Sequence, residues 1–215
     1  VEEEFIDQQF LIDAINDPNQ TDTDVLALLQ ANYPLGEDVL IAYINSGRND
    51  NDIETALTDN APLSNGVLLA VANSNLSDPV ITNIVSGASP ACEDVLLSIA
   101  NSGMAPGQIQ QIMDANAPLT DAVLIELVNS GLPNGIIKNI LQDNAALSAV
   151  VQAAVNNSGL PNGIQNQILN APDQGYGGLP ASNNCDNGIE NNPGTFPVMV
   201  YVQAERHMYG SSRIG

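Results

Sequence analysis

Tryptophan is absent from this chain of 215 residues, aromatic residues make up only 4%, and Lys and Arg together number four against 25 acidic residues. Each scarcity removes a class of protein. Without large aromatic side chains, the interior has to be assembled from Leu, Ile, Val and Ala, which suits thin, similar packing layers better than one irregular core. Positive charge is limited to Arg48, Lys138, Arg206 and Arg213, and the net charge is −21. Such a surface repels phosphate backbones and anionic headgroups, which argues against nucleic-acid and membrane-surface binding. No apolar run approaches the roughly 18 residues of a membrane-spanning helix. The two cysteines, Cys92 and Cys185, make neither a disulfide framework nor a zinc site. They pair if the tail folds back, or they stay thiols, and the sequence leaves both open. The single histidine, His207, cannot supply a Ser-His-Asp or Cys-His arrangement to the rest of the chain. Val1-Glu2-Glu3-Glu4 has the wrong charge for a signal-peptide n-region, so the chain reads as a processed form or a piece of something longer.

What the chain has in abundance is repetition. Asn-Ser-Gly stands at 45–47, 101–103, 129–131 and 157–159, with the near copy Asn73-Ser74-Asn75, so asparagine recurs every 28 residues. A fixed period of this length marks a repeat architecture. Full units run over 36–63, 64–91, 92–119, 120–147 and 148–175, with a looser first unit over 8–35 whose first helix is expected one residue out of register. Each unit divides into two short helices. Ser64, Thr120 and Ser148 precede the first helix as N-caps, with Gly36 and Cys92 in the same slot of other copies. Gly47, Gly103, Gly131 and Gly159 follow it, where a left-handed residue ends a helix. Pro34, Pro62, Pro90 and Pro118 close the unit, since proline cannot continue a helix. Helices this short do not persist alone in water, so their stability has to come from stacking.

The columns name the faces that meet. Val39, Val67, Val95, Val123 and Val151 form one column, and Leu40, Leu68, Leu96 and Leu124 the next, which ends in Gln152. The column Ile44, Ala72, Ala100, Val128 ends in Asn156, and Ile53, Ile81, Ile109, Ile137 ends in Gln165. Three columns turning polar together predict a C-terminal cap near residue 171. At the other end, residues 2–16 read as an amphipathic capping helix carrying Phe5, Ile6, Phe10, Leu11, Ala14 and Ile15. The expected fold is therefore all-α: a right-handed α-solenoid of about six 28-residue helix-pair repeats over 1–171, then a Gly/Asn/Pro-rich linker over 172–195 and a short β-segment over 196–215.

Candidate sites are few. Asp22, Asp50 and Asp78 share one slot in successive units, with Asp24 and Asp52 two residues on, and stacking lines these carboxylates along one edge. Hard cations such as Ca²⁺ want several oxygen ligands, but the ladder stops after the third unit and Asp before a helix is ordinary capping. Helix capping is the favoured reading of all five, with Ca²⁺ the only cofactor in view. Cys185-Asp186-Asn187-Gly188-Ile189-Glu190-Asn191 reads as a turn. Glu54, Thr82, Gln110 and Asn139 read as solvated surface. Nothing assembles a catalytic constellation, so the chain is not expected to be an enzyme.

Phe196-Pro197-Val198-Met199-Val200-Tyr201-Val202-Gln203 is β-branched and aromatic, and it runs into Glu205-Arg206-His207-Met208-Tyr209-Gly210-Ser211-Ser212-Arg213-Ile214-Gly215. This ending resembles a segment of bacterial RHS/YD-repeat proteins, in which a strand precedes an aliphatic residue and Tyr-Gly-Ser-Ser-Arg-Leu/Ile-Gly. The tyrosine-aspartate repeats themselves are absent, so the resemblance bears on context only. It implies a helical module attached to a secreted or surface-displayed shell that encloses a toxin or carries adhesive modules. The 28-residue units resemble helical repeats of large secreted bacterial surface proteins. Together these imply a non-catalytic spacer or protein-interaction module, extracellular or on the cell surface, whose partners are proteins or other domains of the same polypeptide. Two alternatives are a peptide- or glycan-binding adhesin module and an accessory domain of an RHS-type toxin shell.

Overall fold

The computed structural model describes residues 7–175. The start of the expected capping helix, most of the linker, the β-segment, Cys185 and His207 lie outside the described residues. Within them every regular element is a helix, and there are twelve, in six pairs. The first members are α1 (Gln8–Asn16), α3 (Glu37–Ile44), α5 (Asn65–Ala72), α7 (Glu93–Ala100), α9 (Asp121–Asn129) and α11 (Ala149–Asn157). The second members are α2 (Asp22–Gln30), α4 (Asp50–Asp59), α6 (Asp78–Gly87), α8 (Pro106–Ala115), α10 (Asn134–Asp143) and α12 (Asn162–Leu169). Each first helix packs on the first helix of the next unit, each second helix on the next second helix, and the two helices of a pair on each other. That is a helical repeat, with two rows of helices joined across each unit. None of the described helices is long and apolar enough to cross a membrane.

The capping chemistry follows the punctuation of the sequence. Hydroxyls of Ser64, Thr120 and Ser148 accept from the N–H groups of Val67, Val123 and Val151 at 3.2–3.3 Å, while Gly36 and Cys92 cap without a side-chain bond. Gly47, Gly103, Gly131 and Gly159 have φ of +70°, +74°, +76° and +73°, the region where a Cβ meets the following carbonyl. The prolines Pro34, Pro62, Pro90 and Pro118 stand beyond the C-caps Ala31, Asn60, Ala88 and Asn116, so the second helix ends before proline is reached, and after the C-cap Asn144 the same slot holds Ala146.

Burial follows the columns. The valine column is buried from Val39 to Val151, and the Leu40, Ile44 and Ile53 columns are buried through Leu124, Val128 and Ile137. Gln152 and Asn156 are exposed and Gln165 half-buried. Two of these amides also close backbone at the end of the stack, Gln152 Nε2 donating to Leu147 O at 2.8 Å and Gln165 Nε2 to Leu160 O at 2.9 Å.

The first unit differs from expectation in two ways. Its helix begins at Gln8, because Asp7 (φ −57°, ψ 125°) is a non-helical N-cap whose carboxylate accepts from Gln9 N–H. Its register is not displaced either: the buried pair Leu11 and Ile15 stands 28 residues before Val39 and Tyr43. Phe10, read as part of the capping face, is 54% exposed.

Candidate functional site

Polar residues that recur with the period go into the joints of the repeat. In all five turns the asparagine amide donates to the carbonyl four residues back, as Asn45 does to Ile41 O at 3.0 Å and Asn129 to Ile125 O at 2.9 Å. The following serine hydroxyl donates three residues back and accepts the N–H two residues on. Ser130 shows the pattern, with Leu127 O at 2.8 Å and Leu132 N at 3.3 Å. These serines are held by backbone on both sides, so their repetition is structural.

The aspartate edge has a different explanation from local capping alone. Asp22 accepts the backbone N–H of Asn49 at 3.2 Å, Asp50 that of Ser77 at 2.8 Å, and Asp78 that of Ala105 at 2.7 Å. Each carboxylate opens one second helix and fastens the N-cap of the next unit's second helix. The ladder stops where the donor disappears. The next N-cap positions are Pro133 and Pro161, which have no N–H to give, and the carboxylate slots facing them hold Pro106 and Asn134. Asp24 accepts the Thr21 hydroxyl at 2.6 Å, and the Asp52 backbone N–H donates to Asn49 Oδ1 at 3.3 Å. The five aspartates are thus spread along the stack, and no group of three metal-ligating side chains gathers among the described residues.

A cationic clasp holds the first unit. Arg48, 10% exposed, donates Nε to Ile15 O at 2.8 Å, Nη2 to Asp17 O at 2.9 Å, and Nη1 to Gln20 O at 3.1 Å and to Asp22 Oδ1 at 2.8 Å. It stands where later units carry Leu76, Met104, Leu132 and Leu160. α1 ends without the glycine turn, and the guanidinium takes up its terminal carbonyls at the negative end of the helix dipole. Beside it, Tyr43 is fully buried with no partner for its hydroxyl. Burial, then the charges of Asp52 and Asp22, push its pKa up to about 12, with Arg48 acting the other way. Tyr33 is also raised to about 12, by burial and then by Asp59.

The second ladder was not anticipated and contains a gap. Asn60, Asn116 and Asn144 are buried, each donating Nδ2 to the carbonyl four residues back at 2.7–2.8 Å. Each Oδ1 accepts a backbone N–H from the preceding unit: Leu35 at 2.8 Å, Ala91 at 2.7 Å and Leu119 at 2.7 Å. Ala88 stands in the same slot between Asn60 and Asn116 and has no amide, so Leu63 N–H lacks the bond that Leu35, Ala91 and Leu119 make. A cleft of about 570 Å³ opens at that point, lined by Leu57, Pro62, Leu63, Ile84, Ala88 and Pro90 among others, none of them charged.

Thr82 is not solvated surface: it is 1% exposed and its hydroxyl donates to Asp78 O at 2.7 Å. Its neighbour Asn83 makes the contact between units, to Glu54 at 2.9 Å, and Asn139 lies one place past the period. No family model, curated protein or solved structure matches the chain.

Proposed function

We propose that this chain is a non-catalytic structural spacer and protein-interaction module of a large secreted or cell-surface bacterial protein. The six helix pairs form a right-handed α-solenoid whose partners are proteins or further domains of the same polypeptide. The observation that carries this reading is the use of the repeated polar residues. Asp22, Asp50, Asp78, Asn60, Asn116 and Asn144 all bond the backbone of an adjacent unit, which favours a stiff rod over a cleft built for chemistry. The acidic surface supports an extracellular setting and protein partners over nucleic acid, and the ending at Met208–Gly215, similar to RHS/YD-repeat proteins, supports a place beside a larger shell.

A spacer has to hold its ends apart at a fixed distance. Dyes attached at the exposed positions Gln9 and Gln167 are expected to report a single narrow separation by energy transfer, unchanged until the whole repeat melts. A broad separation that drifts under mild denaturant would overturn the reading.

A further inference from the structure

Resting on the reading of this chain as a protein-interaction module, we propose that the solvent side of the first helices docks a basic amphipathic helix of a protein partner, which lays one apolar side chain against each of four successive units. The two rows of helices differ on their solvent side. On the second helices the solvent-facing column is polar in every full unit: Thr55, Asn83, Gln111, Asn139 and Gln167. On the first helices a column carries Ile41, Leu69, Leu97 and Ile125, one per unit in the 28-residue register. Leu69 is 38% exposed and the other three are half-buried. Because α3, α5, α7 and α9 pack one on the next, these side chains make a stripe along the stack. The stripe is bounded, with Asp13 in the unit before it and Ala153 in the unit after. Single exposed leucines are ordinary, but apolar residues gathered in register mark a surface that meets another molecule.

Charge selects the occupant. The first turns beside the stripe carry Glu37, Asp38, Glu93, Asp94 and Asp121, and the described first helices hold no Lys or Arg. Glu37 is fixed in position, because its Oε2 accepts the Ser64 hydroxyl at 2.5 Å and its carboxylate fills the space that a Cβ on Gly66 would need. First-turn carboxylates suit the helix dipole, but the dipole does not account for the aliphatic side chains beside them. A second copy brings the same acidic rim, and residues 176–215 carry three acidic against two basic residues. A cationic partner complements the rim.

Spacing selects a helix. Packed helices stand about 8–10 Å apart. Along a strand, side chains on one face recur at about 6.5–7 Å, which falls out of step within two units. Along a helix, residues seven apart lie on nearly one face at about 10.5 Å, so four of them match four units. Lysine or arginine one turn from each then reaches the carboxylate rim.

The test uses the full chain and a synthetic helix of about 25 residues, with leucine at every seventh position, lysine four residues after each leucine, and alanine or glutamine elsewhere. Fluorescence anisotropy is expected to show binding near micromolar that weakens as salt rises. A scrambled peptide of the same composition should bind about tenfold more weakly or worse. L69S/L97S leaves the net charge unchanged and should weaken binding by about tenfold or more. D38N/D94N should weaken binding and flatten its salt dependence, while T55A/Q111A on the other row should leave it unchanged. Circular dichroism checks that each variant is folded, and L69S alone serves where the double variant is not. No binding by the full chain, equal binding of the scrambled peptide, or binding indifferent to L69S would overturn the proposal. So would a chain that self-associates and loses the association in L69S. Each of these results leaves the spacer reading standing, whereas a broad, drifting end-to-end separation with peptide binding intact would sink the spacer alone.

Discussion

Asn116 shows at the residue level how an ordinary side chain becomes a joint. Its Nδ2 bonds its own helix and its Oδ1 bonds Ala91 N–H of the unit before. Asn116→Ala strands a buried N–H and an end carbonyl, and is expected to cost about 1–3 kcal/mol in urea unfolding. A cost under about 0.5 kcal/mol, the scale of surface changes, would mean that water serves these groups. The series Asn32, Asn60, Ala88, Asn116, Asn144 was already present in the sequence, but asparagine at a helix end reads as local capping. Its second bond, 25 residues away, depends on how closely units approach, which periodicity does not give. Tyr43 and Tyr33 make a further expectation. Their ordinary pKa of 10 rises to about 12 on folding, so the unfolded chain loses these protons first. The stabilisation of the neutral hydroxyls is whole below pH 10 and is lost as pH rises through about 12. Tyrosinate absorbance should show these two ionising above the ordinary pH 10, towards about 12, together with a falling unfolding midpoint. Uniform titration near pH 10 would mean that both hydroxyls reach water.

For the elements, legibility was high wherever local chemistry decides. Serine and threonine N-caps, left-handed glycines and apolar columns place the helices of the full units, because each signal acts within one turn of chain. α1 was harder to place. Asp7 caps it at Gln8 by accepting the Gln9 N–H, and Glu2, Glu3 and Glu4 lie outside the described residues. Packing between elements carries the stability. Leu96 on α7 is 4% exposed, in mid-stack, and Leu96→Ala is expected to cost about 2–5 kcal/mol through the cavity it leaves. Calorimetry showing no loss would mean that its neighbours collapse into the space.

Over the described stack, Gln152, Asn156 and Gln165 stand in the last unit where earlier units bury aliphatics, and Gln152 and Gln165 bond the carbonyls of Leu147 and Leu160. Gln152→Leu, Asn156→Val and Gln165→Ile together expose a contiguous apolar face, which promotes association. The triple variant is expected to keep its helical circular dichroism and to self-associate in light scattering at micromolar concentration. A strictly monomeric variant would mean that another part of the chain covers this face. The polar turn of this face was legible because three columns change together. The cleft was not, because a single alanine among asparagines signals nothing until its counterparts are seen bonding across units.

The match between aspartate and the N–H it holds also bears on how such a chain can change length. A strict period suggests that any unit can be dropped, but the joints are keyed. Removing residues 92–119 sets Asp78 against Pro133, leaving the carboxylate with no donor. Removing residues 64–91 sets Asp50 against Ala105 N–H and brings Asn116 to Leu63, so both bonds survive and the cleft is filled. The two shortened chains have the same number of units, yet the second is expected to melt at the higher temperature. Equal melting would show that the keys are ornamental. If they are not, the order of units in this chain is an inheritance that recombination cannot freely reshuffle.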